Sequence, residues 1–389
     1  MSAIITLNAG SSSLKFSVYL RGDDLNEMMV GQVENLGPAA AIEYHRSGDP
    51  QKTRRVIGTA DHKVALAEIL KVLECLLDIN DGDGHKVIGV GHRVVHGGIE
   101  FDQPTLINDD VIDKLSALVP LAPLHQPHNL AAIQAARSAF PEAIQVACFD
   151  TAFHRSQPWV NDVFAIPKKY YAEGVRRYGF HGLSYDYITS VLNQQWPELS
   201  NAKVIVAHLG NGASMCALKN GESVGSTMGF SPLDGLPMGT RCGQLDPGVL
   251  LYLMDKGLGS SEISTILYRE SGLKGLSGIS SDMRELLMSD NDSAKRAIEY
   301  YVYRIRREIG AMTTTMGGLD ALVFCGGIGE NAAPIRAMVL QDLDYLGLKI
   351  NAQANSQNQT DIGVGNTRAL VIPTDEERVI AQGVVDAMG

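Results

Sequence analysis

Cysteine is scarce and scattered. The five in the chain stand at 75, 148, 216, 242 and 325, with no CxxC pair. That pattern excludes a disulfide framework and a zinc knuckle, and fits a reducing, cytoplasmic setting. Long apolar runs are also missing. A stretch such as Val249–Met254 is far too short to cross a bilayer, so no membrane partner is expected. The opening residues Met1–Ile5 lack the basic segment of a signal peptide and lead straight into a strand pattern. Basic charge is in deficit: 33 Lys and Arg against 44 Asp and Glu give a net charge of −11. A field of that sign argues against nucleic-acid binding and repels anions, so a phosphate ligand would need its own cluster of cations and backbone N–H groups. No G-x-x-x-x-G-K-S/T is present, which excludes a P-loop.

Apolar mass is plentiful. With 389 residues, 45% hydrophobic and 20% charged, the chain can bury a large core in two or three domains. Cys148, Cys216 and Cys325 lie in apolar runs and read as small core residues. Residues 4–20 read as a β-hairpin: Ile4–Leu7, a polar turn, then Leu14–Leu20 with Leu14, Phe16 and Val18 on one face. The design recurs at 203–218, where Gly10 aligns with Gly210, Ser12 with Gly212, Phe16 with Cys216 and Val18 with Leu218. A spacing of about 200 residues hints at a duplicated domain, with a boundary near 153. Elsewhere the pattern predicts helices over Val64–Leu77, Leu130–Ala139 and Ser293–Met316, and strands over Val87–Val95, Ile144–Phe149 and Leu319–Cys325. Asn351–Gly365 reads as a polar surface loop or hairpin region.

Several motifs could carry chemistry. The turn Asn8–Lys15 offers hydroxyls, backbone N–H groups and a lysine, and is either a phosphate cradle or an ordinary hairpin loop. Gly210–Gly212 and Gly326–Asn331 are two further glycine turns after strands, and the second opens a helix, where an anion is favoured. Three such turns at strand ends point to a nucleotide held in a cleft. His92 and His96 are expected on one strand face, a spacing that could bind metal, but no third ligand is evident. Arg93 precedes a glycine turn and could clamp a carboxylate or form a structural ion pair. The loop Leu121–Asn129 carries His125 and His128. Phe149–His154 ends a buried strand with Asp150. Arg176–Gly182 and Gly239–Gly243 add cations among glycines. Any one can be structural, and for His154 and Arg176 that is the better reading. Together they suit phosphoryl transfer.

The segments Asn8–Lys15, His92–Gly98, Ala122–His125, Phe149–His154, Arg176–Gly182, His208–Gly212, Met238–Arg241 and Gly326–Asn331 stand in the order seen in acetate kinases. From residue 4 to about 382 the chain resembles that family of short-chain acid kinases. The resemblance implies an α/β fold of two RNase H-like (actin-like ATPase) domains flanking an active-site cleft, over residues 1–153 plus 378–389 and residues 154–377. It implies ATP:acetate phosphotransfer, reversible and in line, giving acetyl phosphate and ADP, in a cytoplasmic homodimer. By the same resemblance Asn8 and Glu376 would hold Mg²⁺, or Mn²⁺ in its place. Lys15, with Ser11 and Ser13 of its turn, would meet the phosphates of ATP or ADP. His208, Leu209, Gly210, Asn211 and Gly212, with Asp282, Met283 and Arg284, would line the same nucleotide site, as would Gly327, Ile328, Gly329, Glu330 and Asn331. Arg93 would bind acetate, with Val95, Leu124, Phe180 and Pro232 as an apolar pocket and His125 nearby. Asp150, His181 and Arg241 would be catalytic.

Three segments depart from the family pattern. Gln126-Pro127-His128 stands where many relatives carry Asn-Pro-Pro. Cys242–Asp246 replaces the commoner Ser-Gly-Asp-Ile/Val-Asp. Asp375 sits where Thr-Asn-Glu-Glu is usual and adds a charge beside Glu376. Two rival functions share the same motifs. A propionate kinase would differ in the acid preferred, and a nonenzymatic actin-like ATP-binding switch would bind nucleotide without forming acyl phosphate. A metal-dependent hydrolase is a third reading, weakened by the lack of a multi-ligand metal motif. Acetate is already ionised at neutral pH, so Asp150 is expected to position substrate or Mg²⁺ rather than to take a proton.

Overall fold

Alternating apolar residues build the first sheet outward from one hairpin. In the computed structural model, which describes residues 2–10, 13–22, 24–77, 85–123 and 125–389, β1 (Ser2–Ala9) pairs antiparallel with β2 (Leu14–Arg21). Leu7 faces Phe16 and Asn8 faces Lys15 across the pair. Ser11, Ser12 and Leu124 lie outside the described residues. Beyond β2 the meander continues through β3 (Leu25–Glu34), β4 (Gly37–Arg46) and β5 (Thr53–Ala60). On the other side of β1 run β6 (Lys86–Val94), parallel to it, and β8 (Ile144–Phe149), parallel to β6, with the short β7 (Thr105–Leu106) at the edge. The order is β5-β4-β3-β2-β1-β6-β8-β7.

One face of this sheet is covered by helices His62–Leu77 and Gln126–Ala139. Ala65, Leu66, Ile69 and Leu73 of the first, with Ala132 and Ala136 of the second, share a core with Ile5, Phe16, Val33 and Val90. The opposite face takes the final helix, Glu376–Asp386. Successive strand residues point to opposite faces, so Gly89 and Gly91 flank the inward-facing Val90 and face this helix. A Cβ at Gly89 would overlap Val384, and one at Gly91 would overlap Ile380. The two glycines therefore let the helix lie close against β6 and fix where its first residue, Glu376, emerges.

The second sheet repeats the plan. Strands β9 (Lys203–Leu209), β10 (Ala213–Lys219) and β11 (Glu222–Ser226) are antiparallel, and β12 (Ala321–Cys325) and β13 (Arg368–Val371) add parallel beyond β9. The order β11-β10-β9-β12-β13 has the same connectivity as β3-β2-β1-β6-β8. Each is an RNase H-like sheet, the fold class expected from the resemblance. The hairpins differ by one residue: Ala9 pairs with Leu14, while Leu209 pairs with Ala213. Phe16 therefore faces Leu7 while Cys216 faces Val206, one step off a strict 200-residue shift. The long helix Asp292–Met316 buries Ala294, Ala297, Ile298, Tyr301, Ile305, Ile309, Met312 and Met316, a stripe at helical spacing.

By its internal contacts the chain forms two compact units, residues 1–153 with 375–389 and residues 154–374. Among the described residues no helix is long and apolar enough to cross a membrane. Two local expectations change. Residues 126–129 are the first turn of a helix rather than loop, with Pro127 at a position whose N–H has no intrahelical partner to lose. Strand β6 ends at Val94, so His96 lies beyond it and does not share a strand face with His92.

Candidate active site

In the first unit the end of β6 delivers Arg93 to a knot of oxygen atoms. Its Nε donates to Asp150 Oδ1 at 2.9 Å and its Nη2 to Asp150 Oδ2 at 2.5 Å, a bidentate pair. Its Nη1 donates to Asn8 Oδ1 at 3.1 Å and lies 3.9 Å from Glu376 Oε2. Three elements converge here: Asn8 ends β1, Asp150 follows β8, and Glu376 opens the final helix. The Asp150 side chain is 2% exposed, Glu376 14% and Arg93 21%, so Arg93 is the most open of the three. Burial pushes the Asp150 carboxyl up from its ordinary value, and Arg93 opposes that shift. Burial alone would lower the Arg93 pKa, but Asp150 and Glu376 more than offset it, so the guanidinium stays charged.

Polar residues to which the sequence reading assigned no role hold this knot in place. Asn129 Nδ2 donates to Ala9 O at 3.0 Å, and its Oδ1 accepts from Val95 N at 3.1 Å, tying the end of β1 to the turn after Arg93. Thr151 Oγ1 accepts from Gly97 N at 3.0 Å, and Gln126 Nε2 donates to His96 O at 3.2 Å. Asn129, Thr151 and Gln126 are all buried. Their one sequence signal is a polar residue within an otherwise core-facing stretch, and burial is not visible there. Asp375 accepts from Arg378 N at 2.9 Å as the N-cap of the final helix, so one of its oxygens is spent on the helix. Lys15 and Glu377 line a cavity of about 240 Å³ on the β2–β4 side of the sheet. Val95 is buried, His125 is half-buried at the N-cap of helix Gln126–Ala139, and Ser13 O accepts from Gly10 N at 2.9 Å.

The two histidines whose spacing could have bound metal are otherwise employed. His92 Nε2 is 2.8 Å from Gln145 Oε1, and burial lowers its pKa to about 4, so it is a neutral core donor. His96 Nδ1 accepts from Gly98 N at 3.0 Å. Among the described residues no group of three or more His, Cys, Asp or Glu forms a metal cluster.

In the second unit His181 and Arg241 gather at the glycine turn after β9. His181 has φ 59° and ψ 26°, a left-handed conformation that costs a non-glycine residue roughly 1–3 kcal/mol and is tolerated where position matters. Its ring stacks on His208 with centroids 4.3 Å apart. His181 Nδ1 is 2.8 Å from Ser214 Oγ, which also meets the buried Tyr185 hydroxyl at 2.5 Å. A Cβ on Gly212 would stand 3.4 Å from His181 Nε2 and 3.9 Å from Arg241 Nη1, so both side chains address the bare backbone of that turn. Arg176, by contrast, serves the frame. With Arg155 and the Tyr171 hydroxyl it surrounds the carboxylate of Asp162.

Beside that turn is a cavity of about 630 Å³, lined by Gly210, Asn211, Asp282, Met283, Arg284, Gly327, Ile328 and Asn331. Its size suits a small-molecule ligand. Asp282 caps its own helix by accepting from Arg284 N at 2.8 Å and holds the exposed Arg284 guanidinium at 2.5 Å. Other candidates for this site point inward. Leu209 is fully buried in the sheet, Gly329 backs onto Phe324, and Glu330 Oε1 accepts from Gly326 N at 2.9 Å and Thr374 N at 3.2 Å. Phe180 is buried, and its carbonyl lies 3.0 Å from His154 Nε2; Pro232 is half-buried in the same unit.

The comparisons agree with this architecture. The chain is 50% identical over 393 residues to an acetate kinase of Methylocella silvestris, covering 97% of this chain and 96% of the relative. It is 47% identical over 390 residues to an acetate kinase of Nitrobacter hamburgensis. Among solved structures, a Porphyromonas gingivalis acetate kinase superposes with a TM-score of 0.89 at 35% identity and covers 100% of both chains. A propionate kinase from Francisella tularensis gives 0.91 at 38% identity, covering 98% of this chain and 99% of that one. The acetokinase family model matches residues 3–382, and with that span the chain belongs to the acetokinase family.

Proposed function

We propose that this chain transfers a phosphoryl group reversibly between ATP and acetate, giving acetyl phosphate and ADP by direct in-line displacement. The observation that carries the reading is the Arg93 knot, in which one guanidinium is shared among Asp150, Asn8 and Glu376 in a member of this family. In the first unit Arg93 anchors the acid carboxylate, and Val95 limits the length of the acyl chain. Acetate enters ionised, so its oxygen attacks without a base. Both Asp150 oxygens are engaged by Arg93, which suits holding the guanidinium rather than removing a proton. In the second unit His181 and Arg241 stabilise the transferring group, and the 630 Å³ cavity takes the nucleotide. An arginine so placed is worth roughly 10³–10⁵ in rate.

The donor set near Arg93 fits Mg²⁺, because the amide oxygen of Asn8 and the carboxylate of Glu376 are hard oxygen ligands within one cluster. Held there, the ion would supply further neutralisation of phosphate charge. Mn²⁺ shares that ligand preference.

An acyl-phosphate trap with hydroxylamine, run with ATP, Mg²⁺ and either acetate or propionate, tests the reading. Hydroxamate should form with acetate. No hydroxamate with either acid would sink the proposal and leave the nucleotide-binding switch. A propionate kinase is the second reading, favoured by the Francisella structure. One methylene is worth only ~1–3 kcal/mol in an apolar pocket, so propionate should react with a kcat/KM about 10-fold or more below that for acetate. The reverse order would reassign the acid. A homodimer is part of the same proposal. Helix Pro247–Asp255 buries none of its residues although it carries Leu251, Tyr252 and Met254, which are 64%, 58% and 53% exposed. An apolar helix in that state suits a second copy of the chain.

A further inference from the structure

Arg336, in helix Ala333–Leu340, is fully buried, yet no carboxylate meets it among its hydrogen-bond partners. All five of its N–H donors are used. Nε donates to Asn355 Oδ1 at 2.8 Å. Nη1 donates to Gly329 O at 2.8 Å and Glu330 O at 2.9 Å. Nη2 donates to Asn355 O at 2.8 Å and Asn358 Oδ1 at 2.6 Å. Burying a cation against neutral acceptors is costly, so the arrangement calls for a reason.

The reason lies in the acceptors. Gly329 and Glu330 belong to the last turn of the short helix Gly326–Asn331, where carbonyls lack intrahelical partners and favour a cation. That helix contains Gly326, Gly327 and Gly329, the residue type with the greatest chain entropy to lose on ordering. Its sequence alone cannot hold its shape. Glu330 and Asn331 tie it from within, the latter through Nδ2 to Gly327 O at 3.0 Å. Arg336 ties its far end to the 351–358 segment. The other face of the same helix, through Gly327, Ile328 and Asn331, lines the 630 Å³ cavity.

We propose that Arg336 is a positioning residue for nucleotide binding, clamping the Gly326–Asn331 turn from behind with Asn355 and Asn358 as its anchors. The inference rests on the nucleotide reading of that cavity. Ordering of the turn is then completed before ATP arrives, and the polar 351–358 segment sets nucleotide affinity without lining the cavity.

The test compares wild type with Arg336→Lys, Arg336→Met and Asn358→Gly by calorimetric titration with ATP and by KM for each substrate. Asn358 has φ 50°, so glycine keeps its left-handed backbone and removes one acceptor. Losing one charged hydrogen bond predicts an ATP Kd about 5–10-fold weaker in Asn358→Gly, with Arg336→Lys and then Arg336→Met weaker still. The KM for acetate should stay within about two-fold, and kcat at saturating ATP within about three-fold, since only uniform nucleotide binding is lost. Unchanged ATP affinity in the two milder variants, or an equal rise in KM for acetate, overturns the inference even if Arg336→Met fails to fold. Wild type that does not bind ATP overturns the nucleotide reading and this inference with it.

Discussion

At the scale of single residues, burial and charge make predictions of opposite kinds. His154 is buried between Ser223 Oγ at 2.8 Å and Phe180 O at 3.0 Å, and burial lowers its pKa to about 4 from the ordinary 6.5. Below pH 6.5 the unfolded chain takes up this proton while the native chain does not until about pH 4. Its contribution to stability is therefore complete above pH 6.5 and is lost as the pH falls toward 4, by about 3 kcal/mol for the full window. Urea unfolding at pH 7, 6 and 5 should show this slope, and His154→Gln, less stable at pH 7, should reduce it by about one proton. An identical slope in the variant would remove His154 from the account. Arg241→Ala should lower kcat by roughly 10³-fold or more with ATP affinity nearly intact, read from pre-steady-state rates and nucleotide titration. Matching losses in both would make it a binding residue. The residues that meet ligand in this reading were legible because glycines and cations cluster in short motifs. Asn129, Thr151, Ser214 and Arg336 were not, because each acts through burial, and a polar letter in a sequence does not show whether it is buried.

Elements carry a different kind of information. Hairpin β1–β2, hairpin β9–β10 and helix Asp292–Met316 are close to their sequence expectations, since period-2 or helical apolar patterns run through them. Strands β3, β4 and β5 escaped notice: their outer faces meet solvent, and Glu, Arg and Gly break the alternation. The glycines of β6 had a further meaning hidden in sequence, because the helix they admit comes almost 300 residues later. Gly91→Ala tests that packing. Its Cβ would overlap Ile380, so the variant should lose about 1–3 kcal/mol and carry Glu376 out of place. Gly310→Ala is the contrast, since nothing lies within 4 Å of its added methyl in the long helix, and it should gain about 0.5–1 kcal/mol. Equal urea midpoints for the two variants would show that the close approach of helix Glu376–Asp386 to β6 is unimportant.

At the scale of the whole molecule, duplication was visible from two hairpins, but the strand order common to both sheets needed the three-dimensional pairing. Oligomeric state belongs here as well. Light scattering should find a dimer for wild type, and Leu251→Glu, which places a charge on the exposed apolar helix Pro247–Asp255, should shift it toward monomer. A variant that dimerises as well as wild type would move the interface away from that helix.

The return of residues 375–389 to the first unit also sets an order of events during synthesis. The second unit is continuous in sequence and can fold as soon as it leaves the ribosome. The first unit, although its strands are translated first, can be completed only when helix Glu376–Asp386 is available to pack at Gly89 and Gly91. Glu376 reaches Arg93 only then, so if the proposed function holds, a chain that stops before residue 376 lacks one oxygen ligand of the Arg93 knot.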